Sequence, residues 1–413
     1  MSRRETVWVA VFLLTSLGSA VLGVGLAWTA ASAGPQVAGI VGALPAVVSG
    51  VLLLLGGALV DRVDPRRAVL GSAGALAVLC LGTAMLPVGV ASGPTVLVVL
   101  AVLLGVHAAV SSPATVTFSR LLSTDASFPR LLAAEQVAGQ TALVGGRALG
   151  GIVVGAGGLA LAAAVPAVAA IVCVLVVLLV LTGVARPPRS TDAPRERVTL
   201  AMIGAGARAI VVDPVLRPFV LLTAVVAGTI IPAVGVGLPL LLVERRADVA
   251  ALGLLGAAVA GGVAAVALVV AVRGRWRTTW LVVVGGAVVA GCGAVVLALA
   301  PSDAARLAGA VVIGVGQGLF ATHGAPLVRR VPVEVFGRVQ ATQGAMQSLA
   351  IAAGSAGIAA AASAWGAGPS LAVAGAVVVL AGLAAALGGF RPTEPDAAAP
   401  LPSEPDAAAP LPS

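Results

Sequence analysis

Three groups of side chains in this sequence could do chemistry. Gln136, Gln140 and Arg147 fall at i, i+4 and i+11, one helical face in an otherwise apolar stretch, and Glu135 precedes them. His107, Ser111 and Thr115 repeat at i, i+4 and i+8 in a second apolar stretch. The third group is a charged segment, Gly57-Ala-Leu-Val-Asp61-Arg62-Val-Asp64-Pro-Arg66-Arg67. A guanidinium can bind an anion, a carboxyl or imidazole can carry a proton, and an aspartate can pair with arginine or with a helix N-terminus. No group forms a catalytic constellation. All 24 basic residues are arginine, so there is no lysine for a phosphate-binding loop or a Schiff base. The histidines, His107 and His323, and the dispersed Cys80, Cys173 and Cys292 match no metal-ligand spacing, and the cysteines read as small packing residues. No enzyme activity, metal or cofactor is expected.

The elements that must hold these groups are membrane helices. The chain has 413 residues, 60% hydrophobic and 10% charged, against roughly 25% charged for a soluble domain. Crossing the hydrocarbon core takes about 20 residues. Residues 6–60 and 68–119 carry no Asp, Glu or Arg and hold two spans each, and 131–185 hold two more. Residues 218–243, 249–272, 278–302 and 307–328 give one each and 339–390 give two, a total of twelve. An all-α integral membrane fold of two pseudo-symmetric six-helix bundles follows.

With twelve spans both termini share a side. Basic residues in short loops stay cytoplasmic, and twenty of the 24 arginines fall on the terminus side. Both termini are therefore expected in the cytoplasm, in a multi-pass plasma-membrane protein. The net charge of +8 then reports topology and not nucleic-acid binding. The apolar run from Thr6 to Ala31 imitates a signal peptide but is too long for one, and reads as the first span.

Residues 186–216 are the one long charged stretch between spans, and they divide the chain into a bundle at 1–185 and another at 217–390. Within the linker, 198–212 reads as a helix lying on the membrane surface. The halves look like a repeat: a shift of 209 places Gly105 on Gly314, Arg120 on Arg329 and Asp125 on Glu334. Parallel duplication of a six-helix unit points to a transporter with its site between the halves. The tail, 391–413, is proline-rich, and Glu394–Ser403 recurs unchanged as Glu404–Ser413, which reads as disordered.

The charged segment at 57–67 resembles the signature loop of the major facilitator superfamily, Gly-x-x-x-Asp-Arg-x-Gly-Arg-Arg, in the expected place between spans two and three. Asp64 stands where most members have glycine, a departure associated with the exporter branch of enterobactin exporters and drug permeases. Ser112-Pro113-Ala114, Ser119-Arg120, Gly146-Arg147 and Gly150-Gly151 resemble that branch from span four into span five, although Arg147 stands where the branch has proline. Phe336-Gly337-Arg338 resembles the loop after span ten.

The resemblance implies alternating access, with Gly57, Asp61, Arg62, Asp64, Arg66 and Arg67 as a conformational latch and Arg120 and Arg338 as its partners. It implies a monomer, a small amphipathic substrate and a cavity lined by spans one, four, seven and ten. Candidate cavity residues are then Ser16, His107, Ser111, Thr115, Gln140, Arg147, Gln317 and His323. Drug or natural-product export by proton antiport is one reading, with Glu135, His107 or Asp61 carrying the proton; an uptake permease or facilitator of the same fold is a second, and a non-transporting membrane sensor or enzyme a third. Two readings of the stripes stay open. The span-four hydroxyls either contact substrate or bond their own backbone, and Arg147 either binds an anion or gates, or makes a structural pairing.

Overall fold

The structure, a computed structural model, describes residues 1–60, 64–181, 207–208, 210–274, 276, 279–328 and 333–387; at 53–60, 88, 279, 325–328 and 333–338 it describes the backbone alone. The helices are α1 Arg3–Ser32, α2 Pro35–Val60, α3 Pro65–Ala84, α4 Pro94–Leu122, α5 Phe128–Leu179, α6 Leu216–Pro232, α7 Leu238–Glu244, α8 Val249–Arg273, α9 Thr279–Leu299, α10 Asp303–Val328, α11 Val333–Trp365 and α12 Ala367–Leu387. A single turn, Val88–Ala91, lies between α3 and α4. Among the described residues, eleven stretches are long and apolar enough to cross a bilayer.

One of those stretches crosses twice. At 52 residues α5 would run roughly 78 Å if straight, more than twice the ~30 Å hydrocarbon core. It breaks at Gly157 (φ −149°, ψ 19°) and Gly158 (φ 61°, ψ −155°). The positive φ at Gly158 is open to glycine at little steric cost, so the chain reverses within a pair of residues. The limbs 128–156 and 159–179 are thus spans five and six. Span seven is the converse, one crossing in three pieces: α6, a π-helical turn at Ala233–Gly237, and α7. Pro232 closes α6 and lacks the N–H that would continue its ladder. With these two assignments, α8 to α12 are spans eight to twelve.

Charged residues secure the starts of α1 and α3. Ser2 and Glu5 form a capping box on α1, and Glu5 also accepts from Ser127 Oγ at 2.7 Å, which ties the starts of α1 and α5 together. Asp64 caps α3, accepting from the backbone N–H groups of Arg66 (3.0 Å) and Arg67 (3.4 Å) ahead of Pro65 at the first helical position. Arg66 Nη2 then donates to the Val177 carbonyl of span six. Of the segment read as a surface helix, residues 207–208 and 210–212 are helical, with Arg208 exposed and Ile210 buried in the core. The remainder of 198–212 and the tail at 391–413 lie outside the described residues.

Without a hydrophobic driving force between helices in lipid, packing depends on close approach. Helices α9 and α12 meet at a pair of glycines. A Cβ on Gly291 would lie 2.6 Å from the Gly375 carbonyl oxygen, and one on Gly375 would lie 2.6 Å from that of Gly291. Neither side can yield, because the obstacle is backbone. Gly375→Leu is expected to remove most monodisperse protein from size-exclusion profiles in detergent, while Gly74→Leu, whose Cβ meets nothing within 4 Å, leaves the profile unchanged.

Candidate functional site

A cavity of about 630 Å³ lies between the two halves. It follows α1 from Trp8 to Ala27, a helical length of roughly 28 Å. The first half supplies most of the wall, including Phe12, Thr15, Ser16 and Ser19 of α1, Ser72 of α3, and His107, Ser111 and Thr115 of α4. The second half supplies Val234 and Gly235 of the π turn, Leu238 and Pro239 of α7, and Leu252 and Gly256 of α8. The wall is an apolar surface carrying a few hydroxyls, as small-molecule sites usually are.

Most of those hydroxyls donate to their own helix. Thr15 bonds the Val11 carbonyl (3.0 Å), Ser19 the Thr15 carbonyl (2.9 Å), Ser72 the Val69 carbonyl (3.1 Å) and Thr115 the Ser111 carbonyl (2.8 Å). Their hydrogens are engaged, yet their lone pairs remain acceptors for a ligand. Thr115 of the span-four stripe thus bonds its own backbone and also lines the cavity. His107 lines it too, with its Nδ1 buried and unpartnered.

Among the described residues, Arg147 is the one permanently charged side chain in the wall. Its Nη1 donates to the Gly256 carbonyl at 3.1 Å, across the boundary between the halves. That bond is possible because α5 and α8 nearly touch beside it. A Cβ on Gly151 would lie 3.0 Å from Ala250 Cα, and one on Gly253 would lie 2.8 Å from the Arg147 carbonyl oxygen. A second seam joins α2 and α11, where Gly39 packs on Ala359, Gly50 on Ser348, and Gln36 Nε2 donates to Ser363 Oγ at 3.2 Å. These approaches run from mid-helix to the end of the bundle away from the termini.

Near the terminus end the wall rests on a buried polar cluster. Glu135 is 6% exposed, and its Oε1 accepts from Trp8 Nε1 at 2.8 Å and contacts Ser119 Oγ. Trp8 packs edge-on against Phe118 with ring centroids 4.8 Å apart. Ser119 has one hydrogen and two oxygens in reach, the Thr115 carbonyl at 2.9 Å and Glu135. With the carboxyl protonated, it donates to Ser119 while Ser119 donates to Thr115. With the carboxyl ionised, the Ser119 hydrogen turns to Glu135 and the Thr115 carbonyl loses it.

Comparison with known proteins fits this arrangement. The family model described as Major Facilitator Superfamily matches residues 8–355. The chain belongs to the major facilitator superfamily. No curated protein matched it. Solved structures with the same fold include a D-xylose–proton symporter (16% identity, 92% of this chain and 97% of that one, TM-score 0.69). Others are a peptide-bound POT family transporter (11%, 93% and 96%, TM-score 0.70) and the nucleoside transporter NupG (11%, 91% and 98%, TM-score 0.69). A chain of this superfamily is a membrane transporter.

As a superfamily member the chain departs in one respect from the expected cavity. Spans one, four and seven line it, but no described side chain of span ten does, and spans three, five, six and eight contribute. Gln317 and His323 on α10 therefore lie outside the wall. The reason is packing: the α10 glycines Gly314, Gly316 and Gly318 seat against Val259, Ala290 and Val263 of the neighbouring helices. His323 is fully buried, stacks on Trp276 at 5.0 Å and accepts from the Trp276 backbone N–H at 3.3 Å. Gln140 also falls outside the wall, with its Oε1 buried and unpartnered.

In the superfamily's signature loop, Gly57 is part of α2, while Asp61, Arg62 and the side chain of Arg338 lie outside the described residues. Arg67 is exposed, and Arg120 stands over the Phe128 ring at 5.7 Å within its own half. Sequence reasoning missed Trp8 and Ser119 as partners of Glu135. A signal existed, since a tryptophan in lipid needs a partner for its N–H and Glu135 needs donors. Trp8→Phe keeps the ring and deletes the donor. It is expected to lower unfolding stability by about 1–3 kcal/mol, read by thermal denaturation in detergent, whereas an unchanged midpoint would contradict the cluster.

Proposed function

We propose that this transporter exports small amphipathic molecules across the plasma membrane by alternating access, working as a monomer with both termini in the cytoplasm. The observation that carries the reading is the cavity shared by the two halves, with their closest glycine contacts gathered from mid-helix to the end away from the termini. With the arginine-rich end inside the cell, those seams close the outer side, the state in which cargo loads from the cytoplasm. Rocking of the halves then breaks the α5–α8 and α2–α11 seams. The signature loop, with Asp61 paired to Arg120 or Arg338, latches the inner side in turn. The Asp64 departure and the pattern from span four into span five support the exporter branch.

Proton antiport supplies the energy, and Glu135 carries the proton. It is a buried carboxyl group hydrogen-bonded to Trp8, a cavity residue, and linked through Ser119 to a second, Thr115. Gaining or losing the proton reorganises those bonds, which couples protonation to the cavity wall. A solved structure of the same fold is described as a proton symporter, which fits proton coupling without fixing direction. His107 and Asp61 are the other groups able to take this part.

The test is accumulation of fluorescent amphipathic compounds of both charges, ethidium among them, in cells lacking their own efflux pumps. Wild type is expected to lower the accumulation of at least one compound, and a protonophore to restore it. Glu135→Gln at equal membrane level is expected to export at a protonophore-insensitive, residual rate. Raised accumulation with wild type would mean uptake, and full protonophore-sensitive export by Glu135→Gln would remove Glu135 from coupling.

A further inference from the structure

We infer that the molecules this cavity takes carry an anionic group, a carboxylate or a comparable small oxyanion, bound by Arg147. The inference rests on the transport reading and adds a substrate class to it. Arg147 lines the cavity, and among the described residues no aspartate or glutamate does. Its polar partner among the described residues is the Gly256 carbonyl, which engages one of the five N–H groups of a guanidinium. None of its nitrogens is both buried and unpaired, so those without a protein partner face accessible space. A cation therefore stands in an apolar wall with no carboxylate beside it among the described residues.

The rest of the wall completes the description. A charge in such surroundings attracts an anion more strongly than a surface arginine does, and repels a cation to the same degree. The planar fork presents paired donors to a carboxylate. Thr15, Ser19, Ser72 and Thr115 have turned their hydrogens to the backbone and offer lone pairs, which suit hydroxyl or amine donors on the ligand. Phe12, Val24, Leu76, Leu143 and Leu252 supply an apolar surface for its body. The ligand is thus an organic acid with an apolar body and some donor groups, of a size for 630 Å³.

Three probes that share one ring system test this: dansylglycine, dansylamide and dansylcadaverine are an anion, a neutral molecule and a cation. Binding to the purified full-length protein is read by dansyl fluorescence. Wild type is expected to bind dansylglycine about tenfold or more tighter than dansylcadaverine. Arg147→Gln is expected to erase that ratio and Arg147→Lys to keep part of it, each with unchanged helical circular dichroism. Should Arg147→Gln fail to fold, the wild-type ratio and its decline with rising salt decide. Equal or tighter binding of the cation, a ratio that survives Arg147→Gln, or no binding of dansylglycine would each overturn the assignment. Proteoliposomes separate this from the transport reading. Dansylglycine that binds with the stated ratio but is never moved sinks transport alone, and movement of dansylcadaverine in preference to dansylglycine sinks the anion site alone.

Discussion

The bond from Arg147 to the Gly256 carbonyl is the interaction on which this molecule turns. A charge near the centre of a span costs at least ~2.5–3.5 kcal/mol, so it persists only where a partner or a wet cavity receives it. Here both do. Glycines at 151 and 253 bring α5 and α8 close enough for the guanidinium to reach backbone across the boundary between the halves. One end of the side chain is therefore tied to the second half while its unpartnered nitrogens face open space in the wall.

From that constraint the division of labour between the two ends follows. The end away from the termini is held by small residues in direct contact, a seam with little polar material to desolvate when it parts. The terminus end is held by polar groups within the first half: Glu5 with Ser127, Trp8 with Glu135 and Ser119, and Asp64 on the start of α3. Those bonds tie α1, α4 and α5 of the first bundle together. Rigid bodies joined by a narrow glycine seam move by rocking, whereas continuously interdigitated bundles would have to unpack.

Membrane class and number of crossings were legible in the sequence because charge is so costly in lipid that its absence marks nearly every span, the fifth with Glu135 and Arg147 being the exception. Family resemblance was legible from a short loop. Arg147, His107, Ser16, Ser111 and Thr115 could be placed on the cavity because i, i+4 spacing fixes a helical face. Gln317 and His323 were misplaced because a stripe says which residues share a face and not what that face meets. On α10 glycine contacts with α8 and α9 decide the matter. The span-seven π turn left a partial trace in Pro232, and the fold of α5 on itself a trace in Gly157-Gly158. Neither is readable as a break without knowing the packing, since this chain contains many other glycines and prolines. The Trp8–Glu135–Ser119 cluster joins residues more than a hundred positions apart, beyond the reach of any local pattern.

Rocking of the two halves requires the α5–α8 seam to open and close. Ile152 and Leu254 are exposed on these two helices, 64% and 57% respectively, so spin labels there disturb no contact in the core. The measurement is the distance distribution between labels at Ile152→Cys and Leu254→Cys by pulsed electron resonance, with Cys80, Cys173 and Cys292 replaced, in lipid nanodiscs. Two populations, one short and one longer by several ångströms, whose balance moves toward the longer when Gly253→Val is added, are the outcome this account requires. A single distance that neither variant nor ligand alters would contradict it.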